Sequence, residues 1–424
     1  MRFRFLHAAD LHLDTPFTGI HRVEARLAET LRDATKQAFE NLVAAALEHE
    51  VAFVVIAGDV YDGPQRGVRA QLAFRDGLER LARAGIRCFV VHGNHDPVDE
   101  GWSAVRTWPD GVKVFGSTEV EAVPVERDGQ LLAVVHGVSY ATRKVTENLA
   151  RRFHRLEESC FQVGVLHCNA GANADHAAYS PCSVDDLVAA GLDYWALGHV
   201  HSRQFLRSGA PWIAYPGNLQ GLSPKPTECG AKGALLIDVE DHRVADVSFL
   251  PLDVVRFDEF EVDIVSVPDV GSLVETLCDA ARERAASHDR RAVILRAILV
   301  GRGDVHADLR RGRTREQLLG PVRTALAAAT PAIWMDAIND RTRPSLDIDE
   351  MRGRADFTAD LIATADATLV ASPSRSALIE PHLTDLPTGE LRRLLDDDIG
   401  AAPSEDEIRR ALDIALDHVA ETEA

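Results

Sequence analysis

A chain of 424 residues predicts two to three domains with a sizeable core, and 46% hydrophobic with 26% charged residues excludes a disordered, collagenous or low-complexity polymer. The 46 Lys and Arg against 66 Asp and Glu give a formal net charge of −20, so the overall field of the molecule does not hold nucleic acid. That excess is uneven, because residues 341–424 carry 9 basic against 19 acidic side chains.

The chain opens Met1-Arg2-Phe3-Arg4 and soon reaches Asp10, and no long uncharged apolar run follows anywhere. Neither a signal peptide nor a membrane span is expected, and a cytoplasmic location is the corresponding expectation. To about Leu252, short β-branched or aromatic runs alternate with amphipathic stretches, the pattern of a layered α/β domain. Strands are predicted at Arg4–Ala8, Ala52–Ala57, Cys88–His92, Leu131–Val135, Val163–Leu166 and Tyr194–Leu197, and helices at Val23–Glu48 and Val68–Ala84. The continuous run Val51-Ala52-Phe53-Val54-Val55-Ile56 predicts a sheet covered on both faces. After Gln204, short strands with Gly and Pro turns read as antiparallel sheet closing this domain. A β-α-β unit follows, with strand Glu259–Val265, helix Gly271–Ala286 and strand Arg291–Val300. From about 331 the chain is acidic and Ala-rich, ending in an amphipathic stretch over Ser404–Val419. The six cysteines form no Cys-x-x-Cys pair and read as reduced, mostly buried thiols.

Chemistry concentrates at strand ends. Asp10-Leu11-His12 follows the first strand, Gly58-Asp59 the second and Gly93-Asn94-His95-Asp96 the third; His167 and Gly198-His199-Val200-His201 follow later ones. Carboxyl ends of strands in open α/β sheets converge on one edge. Pairs such as Asp10/His12 and His199/His201 reach a common point only where strand has given way to turn, and the glycines before Asp59, Asn94 and His199 suit such turns. Asp10, His12, Asp59, Asn94, His167, His199 and His201 offer seven oxygen or nitrogen donors and no thiolate, too many for one zinc and suited to two cations sharing a bridging carboxylate. Such a donor set accepts manganese or iron as well as zinc.

These five segments, in this order, resemble the motifs of the calcineurin-like metallophosphoesterases, and within them the DNA-repair exonucleases of the SbcD type, especially the bacterial YhaO-like branch. The strings His7-Ala8-Ala9-Asp10-Leu11-His12-Leu13-Asp14-Thr15-Pro16-Phe17 and Tyr215-Pro216-Gly217-Asn218-Leu219-Gln220-Gly221 carry the same resemblance. It implies an α/β fold: a layered metallophosphoesterase core with central mixed β-sheets flanked by helices, a small α+β capping domain and a helical C-terminal region. The domains are expected over residues 1–252, 253–330 and 331–424.

By position the resemblance implies Asp10, His12, Asp59 and His201 on one metal, and Asp59, Asn94, His167 and His199 on the other, with Asp59 bridging. His95 then stays off the metals, placed to stabilise the transition state or protonate the leaving sugar oxygen. Asp62 and Asp96 are expected behind it, accepting histidine N–H groups. The implied activity is in-line attack of a metal-bridging hydroxide on a DNA phosphodiester, most simply with two Mn²⁺ ions. An SMC-like coiled-coil ATPase is the implied partner, with the C-terminal helix as its candidate docking element. No membrane association is expected, and a homodimer is compatible with the same frame.

Other candidates carry weaker signals. His7, His92 and His136 match no ligand position and are expected to make structural hydrogen bonds. His176 lies in a long loop after His167 and is a candidate substrate contact. So are Arg143, in a basic cluster with Lys144, Arg151, Arg152 and Arg155, and Arg311, in a second cluster with Arg302, Arg310, Arg313 and Arg315; such clusters otherwise form solvated faces. Rival readings are a phosphodiesterase for cyclic nucleotides or other small phosphoesters, a phosphoprotein phosphatase, and a non-catalytic scaffold subunit of an ATPase complex. Gly63 and Asp96 stand where the phosphatases usually have arginine and glutamate.

Overall fold

The computed structural model describes residues 1–17, 25–63, 67–99, 102–171, 179–311, 314–345, 348–370 and 404–423. Its first sheet has six strands: β1 (Arg2–Ala8), β2 (Phe53–Ala57), β3 (Arg87–Val91) and β4 (Val112–Val114) run parallel, and β11 (Gly233–Glu240) and β12 (Arg243–Pro251) extend it antiparallel beyond β1. The second repeats the plan. There β6 (Gln130–Gly137), β7 (Phe161–His167), β8 (Tyr194–Gly198) and β10 (Trp212–Tyr215) are parallel, with β5 (Glu121–Arg127) and β9 (Gln204–Arg207) antiparallel at the edges. The mixed sheets flanked by helices are those expected, and the closing antiparallel strands lie where the Gly and Pro turns placed them.

Alternation along the strands explains the layering. Phe53, Val55 and Ala57 of β2 face a core shared with Phe5, Phe89, Phe161, Val163 and Tyr194, between the sheets. Val54 and Ile56 point the other way, onto Phe39, Leu42, Phe74 and Leu78 of helices α1 (Ala25–Glu48) and α2 (Val68–Arg83). A strand with both faces buried reads as an unbroken apolar run because water is excluded from either side. A short helix, α3 (Val184–Ala189), connects β7 to β8. Predicted residue Val23 lies outside the described residues.

Beyond this core, β13 (Val255–Asp263), β14 (Ala292–Val300) and β15 (Ile333–Asp340) form a three-stranded sheet. Helix α4 (Val270–Ala286) joins its first two strands in sequence, and α5 (Val305–Arg310) and α6 (Thr314–Leu326) its last two. β15, which pairs past residue 330, carries Met335 and Asp336 fully buried. Contact density separates one unit of residues 1–260, 278–297 and 319–338 from another of 261–277, 298–318 and 339–424. The second unit holds α7 (Ile348–Arg352), α8 (Phe357–Val370) and the terminal α9 (Glu405–Glu423). No helix among the described residues is long and apolar enough to cross a membrane.

Candidate metal centre

The two sheets meet at one end, and glycines make the meeting possible. A Cβ on Gly198 would lie 1.8 Å from the Ala57 carbonyl oxygen, and one on Gly93 would lie 2.3 Å from Asp59 Oδ1. Of the three glycines that precede ligand candidates, only Gly58 has a left-handed φ, +93°. Gly93 and Gly198 are required by close approach instead of by turn conformation, which corrects the turn-based expectation. Backbone strain falls on ligand candidates themselves: Asp10, His12, Asp59 and His199 have φ of 51°, 43°, 50° and 106°. Non-glycine residues adopt such values only where the surroundings enforce them.

The predicted ligands converge. Asp10, His12 and His201 present ligand atoms within 4.8 Å of one another, as do Asp10, Asp59 and His167. Asn94 Oδ1 is 3.0 Å from His167 Nε2 and 3.2 Å from His199 Nδ1, and the His199 amide donates to Asp10 at 3.1 Å. Asp10 is common to both groups, whereas the resemblance implies Asp59 as the bridge; Asp59 Oδ2 stands 3.3 Å from His167 Nε2.

These atoms fit cations. His167 donates Nδ1–H to the Ala57 carbonyl at 2.9 Å, and His201 donates Nδ1–H to Glu228 at 2.5 Å. In each ring Nε2 is thereby the nitrogen turned toward the cluster. His201 Nε2 lies 3.1 Å from His12 Nε2, and His167 Nε2 faces the oxygens of Asn94 and Asp59. Electrostatics favours positive charge at this place: burial works to lower His167, but Asp59 and Asp10 outweigh it and hold the imidazole up at about 9. Burial raises the Asp10 carboxyl to about 6 despite His167 and His201, while His167 overcomes burial at Asp59 and keeps it below the ordinary carboxylate range. Burial drives His12 the other way, to about 4, leaving a neutral nitrogen donor.

His95 is more open than these, and with Asp62 and His12 it makes a third group whose ligand atoms lie within 4.8 Å of one another. Its side chain is 43% exposed, its Nδ1 is 2.6 Å from Asp62 Oδ1, and its ring centroid lies 5.1 Å from that of His12. The bond to Asp62 raises the His95 pKa above the usual value. Asp96 instead meets His92 Nδ1 at 2.8 Å and accepts the amides of Val60 and Gly93 at 2.9 and 2.8 Å. It therefore ties together the two loops that carry Asp59 and Asn94.

The other histidines and the arginines sort by contact. His7 bonds Tyr194 Oη and the Leu197 carbonyl, and His136 bonds Gln162. Arg151, Arg152 and Arg155 pair with Asp186, Glu147 and Asp193, as expected of a solvated basic face. Arg143 departs from that cluster: a Cβ on Gly63, beside Asp62, would lie 3.4 Å from its Nη2. Arg311 belongs to the second unit and pairs with Asp308 at 2.8 Å. His176 lies outside the described residues.

Sequence reasoning overlooked Glu228, Asn218 and Lys232. Glu228 Oε2 accepts Asn218 Nδ2 at 2.7 Å and the Leu222 amide at 3.0 Å, while Lys232 donates to the His201 carbonyl at 2.7 Å. Asn218 stood within a family-like string, but nothing local linked Glu228 to a histidine 27 positions earlier.

Residues 3–203 match the family described as calcineurin-like phosphoesterase, and residues 257–343 match the middle domain of metallophosphoesterase YhaO. The chain belongs to the calcineurin-like metallophosphoesterases. It is 35% identical to the metallophosphoesterase YhaO of Bacillus subtilis over 65% of this chain and 66% of that one. Identity is 27% to the DNA double-strand break repair protein Mre11 of Aeropyrum pernix, covering 52% of this chain and 54% of the relative. For a subunit of the nuclease SbcCD of B. subtilis it is 23%, covering 56% and 66%. The chain thus spans about half to two thirds of the length of these curated relatives. Membership of this family and the donor set together fit a site for divalent ions at this sheet edge.

Proposed function

We propose that this chain is a DNA phosphodiesterase, an exonuclease acting in repair. The observation that carries the reading is a solvent-reachable, cation-favouring histidine, His95, held by Asp62 beside the buried ligand cluster. One relative named as a DNA double-strand break repair protein and another named as a nuclease subunit support DNA as the ester.

Asp10, His12, Asp59 and His201 would hold one cation and Asp59, Asn94, His167 and His199 the other; Mn²⁺ would suit a donor set without thiolate. Two divalent ions so held supply a nucleophile from water at neutral pH and neutralise charge on phosphoryl oxygen. Asp62 accepts His95 Nδ1–H and so turns Nε2–H outward, where it stabilises the transition state or protonates the leaving sugar oxygen. General acid catalysis of this kind contributes about 10²- to 10⁴-fold. Arg143, near Gly63, positions the phosphate without reading sequence. An SMC-like coiled-coil ATPase supplying DNA affinity would reconcile this activity with the net charge of −20.

The test is Mn²⁺-dependent hydrolysis of end-labelled DNA beside bis-p-nitrophenyl phosphate, for wild type and His95→Ala. Loss of DNA digestion by the variant with two metals still bound supports the reading. Hydrolysis of the small ester alone, with DNA untouched even when partner ATPase is supplied, would overturn it in favour of a small-substrate phosphodiesterase.

A further inference from the structure

A cavity of about 460 Å³ opens beside the metal edge, lined by Asp14, Arg32, Asp33, Lys36 and Arg69. It shares backbone with the metal centre. His12 and Leu13 donate their amides to the carbonyls of Asp59 and Val60, and Asp14, two residues past His12, donates its own to Thr35 Oγ1 on α1. Two residues span at most about 7 Å, so the cavity wall begins one short step from a ligand.

Every described residue of the lining is charged, three basic and two acidic. Arg32 and Lys36 stand one turn apart on α1, and Arg69 lies in the first turn of α2. Among the described residues Lys36 Nζ has no hydrogen bond or ion pair. Arg69 reaches Asp33 only at 4.0 Å, with both side chains largely exposed. Helix α2 starts without a side-chain cap and without an acid in its first turn, so its own residues leave its positive end uncompensated. Asp14 approaches that end, and its Oδ2 would lie 2.3 Å from a Cβ on Gly67.

We propose that this cavity binds a backbone phosphate of the DNA strand being cut, next to the phosphate held at the metals; the proposal rests on the nuclease reading above. Three cations against two carboxylates, with a helix N-terminus, suit an anion, and among the described residues of the lining none is aromatic or aliphatic to offer a base a stacking surface. Phosphate oxygens take over the place Asp14 holds at the start of α2, with Lys36 and Arg69 as their charge partners. Asp14 is therefore a built-in competitor, and removing its charge tightens binding. A site with basic side chains in excess, three against two acidic, lets a chain of net charge −20 hold DNA locally.

The test uses the full chain with Mn²⁺ and compares wild type, Lys36→Ala/Arg69→Ala and Asp14→Asn. Bis-p-nitrophenyl phosphate hydrolysis reports the metal centre alone, and KM for end-labelled DNA against salt reports the cavity. The double variant is expected to keep the small-ester rate within about twofold while KM for DNA rises about tenfold. Its salt slope should become shallower by roughly 0.7–0.9 for each phosphate no longer neutralised. Asp14→Asn, whose left-handed φ of 63° asparagine tolerates, is expected to lower KM for DNA. If wild type digests DNA and all three proteins share one KM and one salt slope, the cavity proposal fails while the nuclease reading survives. If the double variant loses only inhibition by inorganic phosphate, the cavity is a free-phosphate site and the proposal also fails. If wild type cleaves the small ester but neither binds nor cuts DNA, both readings fall together.

Discussion

His201 donates Nδ1–H to Glu228 Oε1 at 2.5 Å, and the second Glu228 oxygen is taken by Asn218 and the Leu222 amide. Burial opposes a charged Glu228, but His201 overcomes it and holds the carboxyl down at about 2. Glu228 is thus an anion at neutral pH that fixes which His201 nitrogen faces the ligand cluster. Removing such a support typically costs 10- to 100-fold in metal affinity. Glu228→Ala is expected to weaken Mn²⁺ binding by about that factor in calorimetric titration. Unchanged affinity in a folded variant would reduce Glu228 to a packing residue.

The Asp62–His95 pair predicts a pH effect of definite sign. Asp62 raises the His95 pKa, so the acid form persists to higher pH than in a free imidazole. Activity that needs this proton falls as pH rises through the His95 pKa. Asp62→Asn removes the raising charge and moves that alkaline limb of kcat to lower pH, with metal content unchanged. His95→Gln abolishes the limb and lowers kcat by about 10²- to 10⁴-fold. A limb that stays in place in Asp62→Asn assigns it to another group.

Gly198 tests how the sheets are joined. Its missing side chain leaves room for the Ala57 carbonyl, which also receives the Nδ1–H of His167. Gly198→Ala must push β8 from β2, and overpacking of this sort costs about 1–3 kcal/mol. Urea unfolding should show that loss, and Mn²⁺ affinity should fall with it because His167 turns with the carbonyl. Full stability with normal metal binding would show that the strands separate freely at this point.

Much of this was legible in the sequence because it depends on order and alternation. The unbroken apolar run from Val51 announced a doubly covered strand, and the predicted ligand segments lie at strand ends, with His167 the last residue of β7 and the others just beyond their strands. Histidine at a strand end did not by itself separate ligand from support: His92 follows β3 yet bonds Asp96, and His7 of β1 reaches across to Tyr194 of the facing sheet. Glu228 was hidden for another reason. Its partner is distant in the chain, and a carboxylate in a short turn looks like any solvated acid until burial and Asn218 are known. The role of Gly93 and Gly198 was likewise invisible, since close approach of another strand leaves no local mark.

His7 provides a last prediction, on stability. It is fully buried, with one ring nitrogen 3.0 Å from Tyr194 Oη and the other 3.1 Å from the Leu197 carbonyl. A neutral ring satisfies both partners, accepting from the hydroxyl and donating to the carbonyl. Burial lowers its pKa to about 3, against 6.5 for the ordinary side chain. Between those values the unfolded chain binds a proton that the folded chain refuses, so stability falls as pH drops through that window and is unaffected above it. Each pH unit contributes about 1.4 kcal/mol. His7→Gln keeps a donor and an acceptor but cannot titrate. The loss of unfolding free energy between pH 7 and pH 5 should therefore be smaller in the variant by about 2 kcal/mol, measured by urea denaturation of both proteins in the same buffers. Comparing differences cancels the carboxylates and metal ligands common to both chains. Equal losses would mean that His7 takes up its proton in the folded state, with Tyr194 or Leu197 yielding to accommodate it.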